Sequence, residues 1–356
     1  MGFKSYKSLG FQGFVNAGSK IAALAVTPTP TPTPTPTNLT IRTVGGNPNP
    51  GYYGICVTDT GVIYATDYYN AAAFKITNGA ATKIAGLSQT GYSGDGGLAT
   101  SAALNAPTGI CLDTAGNIYI VDKQNFTVRK INTSGIISVF AGTGTDGFSG
   151  DGGLATSAQL NAPIGVCIDT NGNMYIVEKN NRVRKVGTNG IITTIAGTGV
   201  AGYSGDGGLA TSATFNDSIA ICISNTGIIY VAEYGNSIIR KIDTNGVIST
   251  FAGIAGTLGF SGDGGLATSA ALNGPYAVCV DNVGNVYISD YNNFRIRVVN
   301  TSGIISTVAG TGVKGVSGDG GLATSAQINN VRSLCNGANG LIYIAEYSGG
   351  RICTLT

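Results

Sequence analysis

The sequence predicts an all-β fold, a six-bladed β-propeller whose blades are four-stranded antiparallel sheets. Three observations predict it: a ten-residue string recurs at a nearly fixed spacing, four short apolar runs lie between successive copies, and the composition is unusual. Glycine accounts for 56 of 356 residues and charged residues for only 11%, against about 7% and about 25% in average proteins. This composition favours many short strands and tight turns over long solvated helices.

The recurring string is Ser-Gly-Asp-Gly-Gly-Leu-Ala-Thr-Ser-Ala, and it occurs five times. Successive copies are 55 to 57 residues apart, a spacing typical of architectures in which each repeat forms one structural unit. The aspartates of the five copies are Asp95, Asp151, Asp206, Asp263 and Asp319. The regular spacing therefore indicates one domain built of repeats over residues 38–356 rather than several unrelated domains.

The third repeat shows the strand pattern of a single blade. Apolar runs bounded by turn residues predict strand a at 165–168, strand b at 174–177, strand c at 182–186 and strand d at 191–195. Four antiparallel strands per repeat, arranged around an axis, form a propeller blade. A tyrosine of strand b marks each repeat and sets the number of blades at six: Tyr64, Tyr119, Tyr175, Tyr230, Tyr287 and Tyr343.

The sixth repeat has no strand d of its own, because the sequence ends at Thr356 after a strand c. The segment 38–46 is similar in sequence to the strand d of the fifth repeat. We therefore expect residues 39–44 to supply the outer strand of the sixth blade, so that an N-terminal strand closes the propeller. Pairing the first and last segments in this way removes an exposed sheet edge.

The repeats resemble a known family. The phrase NGNMYIVEKNNRVRKVGTNGIITTIAGTG, which begins at Asn171, and its copies around Asn117, Asn285 and Gly340 resemble NHL repeats. The resemblance covers residues 38–356 and implies an NHL-repeat β-propeller that presents one face to a protein, a glycan, a nucleic acid or another ligand. It also implies an alternative, because a few propellers of this kind are lyases or hydrolases. Fold alone does not decide between these functions.

The first 37 residues differ in composition from the repeats. Residues 27–37 alternate threonine and proline, which favours extended polyproline II and predicts a semi-rigid stalk. In residues 1–26 the longest apolar run is 21–26, too short for a membrane span or a signal-peptide core. We interpret 1–26 as a docking tail that binds a protein assembly, with a disordered tail as the alternative. An anchor, stalk and head predict an extracellular or surface location, on a cell or a virion.

The loops that join strand b to strand c carry the candidate ligand-binding residues. Chain parity places these b–c loops on the same face as the loops that join strand d to the next strand a. The b–c loops differ between repeats and combine aromatic rings with Asn and acidic neighbours, which suits stacking on a sugar or anchoring a protein partner. The alternative is ordinary loop variation, with the rings packed on blade edges. The candidates are Tyr68, Tyr69, Phe126, Tyr234, Tyr291, Phe294 and Tyr347.

Two sets of acidic residues recur with the repeats. We expect the aspartate of the ten-residue string to accept backbone N–H bonds in a tight turn, with Ca²⁺ binding as the alternative. A second acid follows each strand b and precedes a strand-c arginine in five repeats, whereas the first repeat has Phe74 there. We expect a local ion pair or a loop cap, with a ring of carboxylates around a cation or acid–base pairs as the alternative. These acids are Asp67, Asp122, Glu178, Glu233, Asp290 and Glu346. An acid in every repeat favours scaffolding, because a catalytic site uses different residues in different roles.

Six cysteines also recur once per repeat, each in an apolar run: Cys56, Cys111, Cys167, Cys222, Cys279 and Cys335. Their spacing never approaches that of a metal or redox motif. We interpret them as small core residues, with Cys353 as the unmatched thiol.

Composition argues against two classes of function, histidine-based catalysis and nucleic-acid binding. The chain has no histidine, the commonest general base and transition-metal ligand, and a net charge of +2 gives no electrostatic footprint for nucleic acid. We expect a non-catalytic binding or structural head on a Thr-Pro stalk, with no catalytic residues, cofactor, metal or membrane span, which offers its loop face to a glycan or a protein. The alternative is a lyase or hydrolase with a metal in the central channel.

Overall fold

The computed structural model describes residues 38–46, 51–337, 339–348 and 350–356. Within these ranges, 24 strands form six four-stranded antiparallel sheets, which confirms the predicted six-bladed propeller. The strands are β1 (Ile41–Gly46), β2 (Tyr52–Val57), β3 (Ile63–Asp67), β4 (Ala72–Thr77), β5 (Ala80–Ala85), β6 (Pro107–Leu112), β7 (Ile118–Asp122), β8 (Thr127–Ile131), β9 (Ile137–Ala141), β10 (Pro163–Ile168), β11 (Met174–Glu178), β12 (Arg182–Val186), β13 (Ile192–Ala196), β14 (Ser218–Ile223), β15 (Ile229–Glu233), β16 (Ile238–Ile242), β17 (Ile248–Ala252), β18 (Pro275–Val280), β19 (Val286–Asp290), β20 (Arg295–Val299), β21 (Ile305–Ala309), β22 (Val331–Asn336), β23 (Ile342–Glu346) and β24 (Arg351–Leu355). The predicted docking tail and stalk, residues 1–37, lie outside the described residues.

An N-terminal strand closes the propeller, as predicted. The sheet of the sixth blade has the order β1-β24-β23-β22, with β1 antiparallel to β24. The strand begins two residues later than the sequence suggests. Thr40 still exchanges backbone hydrogen bonds with Thr356 at 2.7 and 3.0 Å, and Leu39 and Thr40 also pair with the last ten-residue string. There the amide of Ala323 donates to the carbonyl of Leu39 at 2.8 Å, and Thr40 bridges Leu322. Ile41, the first residue of β1, is fully buried.

Each ten-residue string packs on the outer strand of the blade that follows it. In the first copy, Gly96 N–H donates to the Ile137 carbonyl at 2.8 Å and Ile137 N–H donates to Gly97 at 3.0 Å. These bonds cover part of the edge of strand d, which would otherwise be open to pairing with another chain. The string then forms a 3₁₀ turn, and Ala99 and Ala102 are buried in a cluster with side chains of the first two blades. The corresponding turns are Ala99–Ser101, Ala155–Ser157, Ala210–Ser212, Ala267–Ser269 and Ala323–Ser325.

A buried arginine of strand c links four of the five strings to the blade that follows. Arg129 is fully buried and donates through Nη2 to Asp95 at 2.8 Å and through Nη1 to Asp122 at 3.3 Å. The expected pairing of the strand-b acid with the strand-c arginine is thus confirmed. The string aspartate differs from expectation, since its partner is the arginine rather than its own turn. The same double pairing occurs at Arg184 with Asp151 and Glu178, Arg240 with Asp206 and Glu233, and Arg297 with Asp263 and Asp290.

The first and sixth blades depart from this pattern. In the sixth, Arg351 pairs with Glu346 at 2.8 Å, and Asp319 accepts a bond from the backbone of Thr43 at 2.7 Å. The first blade has neither a preceding string nor the arginine. There the buried Asp67 accepts bonds from the backbone and side chain of Asn70.

Candidate functional site

The six inner strands line a channel along the propeller axis. Its cavity nearer the b–c loops is lined by small residues at one level of the strands: Gly54, Gly109, Gly165, Ala220, Ala277 and Ser333. A Cβ built on Gly54 would lie 2.3 Å from the carbonyl oxygen of Thr108 in the next blade. Neighbouring inner strands therefore approach each other closely, and larger side chains do not fit at the positions where glycine occurs.

The six repeated cysteines line a wider part of the channel, a cavity of about 400 Å³ toward the a–b turns. They are core residues only in part: Cys56, Cys111 and Cys279 are buried, whereas Cys167, Cys222 and Cys335 are partly exposed, and all six are free thiols. Burial raises the pKa of Cys335 to about 11. In the described part of the chain, no three His, Cys, Asp or Glu side chains are grouped so that they could hold a metal ion.

The other end of the channel opens among the b–c loops, a side we call the loop face. The loops of both kinds meet there, since the side chain of Asn125 in a b–c loop donates to the Gly91 carbonyl in a d–a loop at 2.7 Å. Seven tyrosines form one continuous set of ring contacts on this face, which we call the tyrosine cluster: Tyr53, Tyr68, Tyr69, Tyr234, Tyr276, Tyr291 and Tyr347. They come from the first, fourth, fifth and sixth blades.

The cluster combines stacked and edge-to-face contacts. Tyr276 stacks on Tyr291 with ring centroids 4.8 Å apart, and Tyr53 stacks on Tyr68 at 5.6 Å. The hydroxyls of Tyr53 and Tyr276 are hydrogen-bonded across the axis. Burial raises the pKa of Tyr276 strongly, so this phenol stays protonated at neutral pH. Such ring pairs contribute about 0.5–1.5 kcal/mol each beyond area burial, which makes the cluster a pre-ordered surface.

Arg332 of β22 lies within the tyrosine cluster. Its Cζ is 3.4 Å from the ring centroid of Tyr347, 4.9 Å from that of Tyr53 and 5.3 Å from that of Tyr276. A guanidinium over aromatic faces is attracted by the ring quadrupole, and more strongly where water is excluded. The arginine thus holds three blades together at the mouth of the channel.

Two lysines complete the loop face on the second and third blades. Lys123 and Lys179 each occupy the first position of a b–c loop, where the other four blades have a tyrosine. The Nζ of Lys179 pairs with Asp217. Burial lowers the pKa of Lys123, and the neighbouring charges of Lys179 and Arg332 lower it further. The loop face therefore has an aromatic side and a basic side, which we call the basic sector: Lys123, Lys179 and Arg332.

The structure brings together five of the seven predicted candidates. Tyr68, Tyr69, Tyr234, Tyr291 and Tyr347 all belong to the tyrosine cluster, although their ligand-binding role stays a prediction. Phe126 and Phe294 do not; each ends a 3₁₀ turn in the left-handed conformation, with φ of 54° and 50°, and is half-buried.

Sequence reasoning missed Tyr53, Tyr276, Arg332 and Lys123. For Tyr53, Tyr276 and Arg332, the sequence signal was a departure from the repeat. The second residue of strand a is threonine or isoleucine in the second, third and fourth blades, but tyrosine or arginine in the first, fifth and sixth. Arg332 is the one charged side chain in the six described inner strands.

Comparison with known proteins identifies the family. The model of the teneurin NHL domain matches residues 70–146, 144–202 and 256–317, which together make up more than half of the chain. The chain belongs to the teneurin NHL-domain family. This agrees with the resemblance to NHL repeats in the sequence.

Relatives within the teneurins are moderately similar. Mouse teneurin-1 is 31% identical over 231 residues, covering 58% of this chain and 8% of teneurin-1. Human teneurin-4 is 34% identical over 232 residues, covering 58% of this chain and 8% of teneurin-4. Zebrafish teneurin-3 is 28% identical over 298 residues, covering 73% of this chain and 11% of teneurin-3. The chain therefore spans about a tenth of the length of the teneurins that it matches.

Solved structures share the fold of this teneurin NHL-domain relative. An auxiliary nutrient binding protein from Bacteroides ovatus superposes with a TM-score of 0.65 at 14% identity, covering 90% of this chain and 77% of that one. Virginiamycin B lyase from Staphylococcus aureus superposes with a TM-score of 0.53 at 15% identity, covering 89% of this chain and 99% of the lyase. At these identities the likeness shows the fold alone.

Within the described residues no helix has the length and apolarity that crossing a membrane requires.

Proposed function

We propose that the chain is a non-catalytic binding module, a propeller head that presents its loop face to a glycan or protein partner. One observation carries the proposal: the blades follow the repeat closely, whereas the inner-strand residues Tyr53, Tyr276 and Arg332 break it on a single face. A fold with six similar blades needs no such asymmetry for its own closure. Aromatic rings and arginine are the residues most enriched at binding hot spots.

The repeated polar residues already have structural partners. The buried acids at the ends of strands b accept bonds from strand-c arginines in five blades, so they are engaged in holding loops to blades. The alternative of a lyase or hydrolase ranks second. A virginiamycin B lyase described as catalytically inactive carries a histidine-to-alanine replacement, and this chain contains no histidine. The channel offers thiols whose pKa is raised by burial, which makes them poor nucleophiles and poor metal ligands at neutral pH.

We further propose that residues 1–26 and the Thr-Pro segment 27–37 tether this head to a larger assembly at a cell or virion surface. Support comes from the sequence and from the family, since related teneurins carry the domain as a small part of a much longer protein. A variant lacking residues 1–37 should keep loop-face binding and lose attachment to the assembly.

The experiment that tests the binding face compares wild-type protein with a Tyr69→Ala/Tyr347→Ala double variant on a glycan array and on cells by flow cytometry. Tyr69 is 65% exposed and is hydrogen-bonded to Tyr347, so the change should leave the core intact. Tyr92→Ala is the matched control, because Tyr92 is 47% exposed in a d–a loop outside the cluster. We expect binding by the wild type and the control, and loss in the double variant. Unchanged binding by the double variant would refute the assignment of this face.

A further inference from the structure

The loop face is divided into two sides by the residues at equivalent positions of its loops. The first residues of the b–c loops are, from the first to the sixth blade, Tyr68, Lys123, Lys179, Tyr234, Tyr291 and Tyr347. Two adjacent blades thus supply ammonium groups and the other four supply phenol rings. At the channel mouth, Arg332 contacts rings of the tyrosine cluster and acts electrostatically on Lys123.

The basic sector carries a surplus of positive charge. Among the described residues, Lys179 pairs with Asp217, whereas neither Arg332 nor Lys123 has a carboxylate within ion-pair distance. The acids at the base of the loops are buried: Asp122 and Glu178 pair with the strand-c arginines Arg129 and Arg184, and Asp67 binds Asn70. Burial lowers the pKa of Lys123, and the charges of Lys179 and Arg332 lower it further, while Asp217 raises it.

Arg332 also has an unused hydrogen-bonding group. Its Nε is buried and has no hydrogen-bond partner within the described part of the chain. A buried donor without an acceptor is unfavourable, and more so in a charged group. An anionic oxygen bound to the guanidinium would relieve the repulsion between the cations.

We propose that the loop face binds a carboxylate-bearing sugar, with the carboxylate on Arg332 and Lys123 and the pyranose ring against the tyrosine cluster. The proposal rests on the proposed binding function and names its ligand class. A sugar fits better than an extended acidic peptide, because the site surrounds the propeller axis and its walls are separate loops. Peptides are usually aligned by a strand edge or a long groove. Exposed rings such as Tyr69 suit the apolar faces of a sugar.

The test measures binding of oligosaccharides to the full chain by isothermal titration, with 3′-sialyllactose and trigalacturonate as acidic probes and lactose as the neutral probe. We expect at least one acidic probe to bind with a Kd about tenfold or more below that of lactose. Binding should weaken several-fold when salt is raised from about 50 mM to about 500 mM, because the contacts are screened.

Two variants test the named cations. Arg332→Gln and Lys123→Gln should each weaken binding of the acidic probe about fivefold or more. Because Lys123 lies in a surface loop, the Lys123→Gln variant should fold even if the Arg332→Gln variant does not. Arg182→Gln is the matched control, since Arg182 also lies over a ring, that of Phe148 at 3.9 Å, but outside the cluster. Its affinity should equal that of the wild type.

Three results would overturn the proposal. Lactose binding as tightly as the acidic probes would show a neutral glycan site, and the proposed function would stand. A polyglutamate peptide that binds more tightly than either acidic probe would show that the partner is an acidic protein. If neither acidic probe binds at millimolar concentration, the ligand class is wrong, and the Tyr69→Ala/Tyr347→Ala comparison still decides separately whether this face binds a partner.

Discussion

Thr43 of β1 lies directly opposite Cys353 of β24, with 3.8 Å between the threonine Oγ1 and the cysteine Sγ. The two residues are 310 positions apart in sequence, and they mark the seam where the first strand closes the last blade. The other five blades are each formed by one continuous segment. Closure of the ring therefore depends on β1, which pairs with β24 and is also hydrogen-bonded to the fifth string.

Thr43→Cys should form a disulfide with Cys353 on mild oxidation and raise the thermal midpoint. Opposed residues of antiparallel strands have Cα atoms about 4.5–5.5 Å apart, within the range that a disulfide needs. A closed loop of about 310 residues stabilises mainly by restricting the unfolded chain. Mass spectrometry and thiol counting would detect the bond. Arg42→Cys is the control, because its partner Thr354 has no thiol; if it cross-links equally well, the register is wrong.

Arg184→Ala should destabilise the protein by about 3 kcal/mol or more at a pH near 8, because it leaves Glu178 buried without its partner. Asp151→Asn should cost about 1 kcal/mol or less, since Asp151 is 39% exposed and solvent screens its interaction with Arg184. Urea unfolding followed by tyrosine fluorescence would compare the two midpoints. Equal effects would show that the half-exposed aspartate, rather than the buried acid, makes the dominant contact.

The fold could be predicted from the sequence because the same strand and turn pattern recurs in every blade. Tyr64 and its counterparts set the blade number, and the similarity of 38–46 to a strand d predicted the closure. A periodic pattern does not reveal which partner an aspartate takes across a gap of more than 30 residues, so the pairing of Asp95 with Arg129 was not foreseen. The pattern likewise does not reveal what a residue contacts when it occurs in only one repeat, so the position of Arg332 among the tyrosine rings was not foreseen.

The channel cysteines should not react with a thiol reagent in the folded protein. Burial raises the pKa of Cys335 to about 11 and raises those of Cys56 and Cys167 well above the ordinary value, so the reactive thiolate is scarce at a pH near 8. We expect slow labelling by Ellman's reagent in native buffer and rapid reaction of all seven cysteines in denaturant. Cys335→Ser tests one of the three partly exposed channel thiols. Rapid native labelling that this variant abolishes would show that the channel is open to reagents from the a–b turn side.

The buried acids should make the protein less stable as pH rises from about 4 to about 8. Four strand-c arginines each carry one positive charge between two carboxylates. Burial raises the pKa of Asp122 to about 6 and those of Glu178 and Glu233 to about 7. Between the ordinary pKa values of these groups and the raised ones, the folded chain binds more protons than the unfolded chain, so stability falls with increasing pH. The acids whose pKa is lowered in the folded chain, such as Asp113 and Asp169, change the stability only at pH values below this range, where they become protonated.

Thermal unfolding at intervals across this range would measure the effect, and we expect the midpoint to fall by several degrees. Glu178→Gln/Glu233→Gln should show a flatter profile, because amides do not titrate. Asp146→Asn, at an exposed aspartate that accepts a bond from Asn161 at 2.8 Å, should keep the wild-type slope. A midpoint that rises with pH in all three proteins would mean that the arginines keep the buried acids ionised throughout, and the double substitution would then destabilise the protein most at a pH near 8.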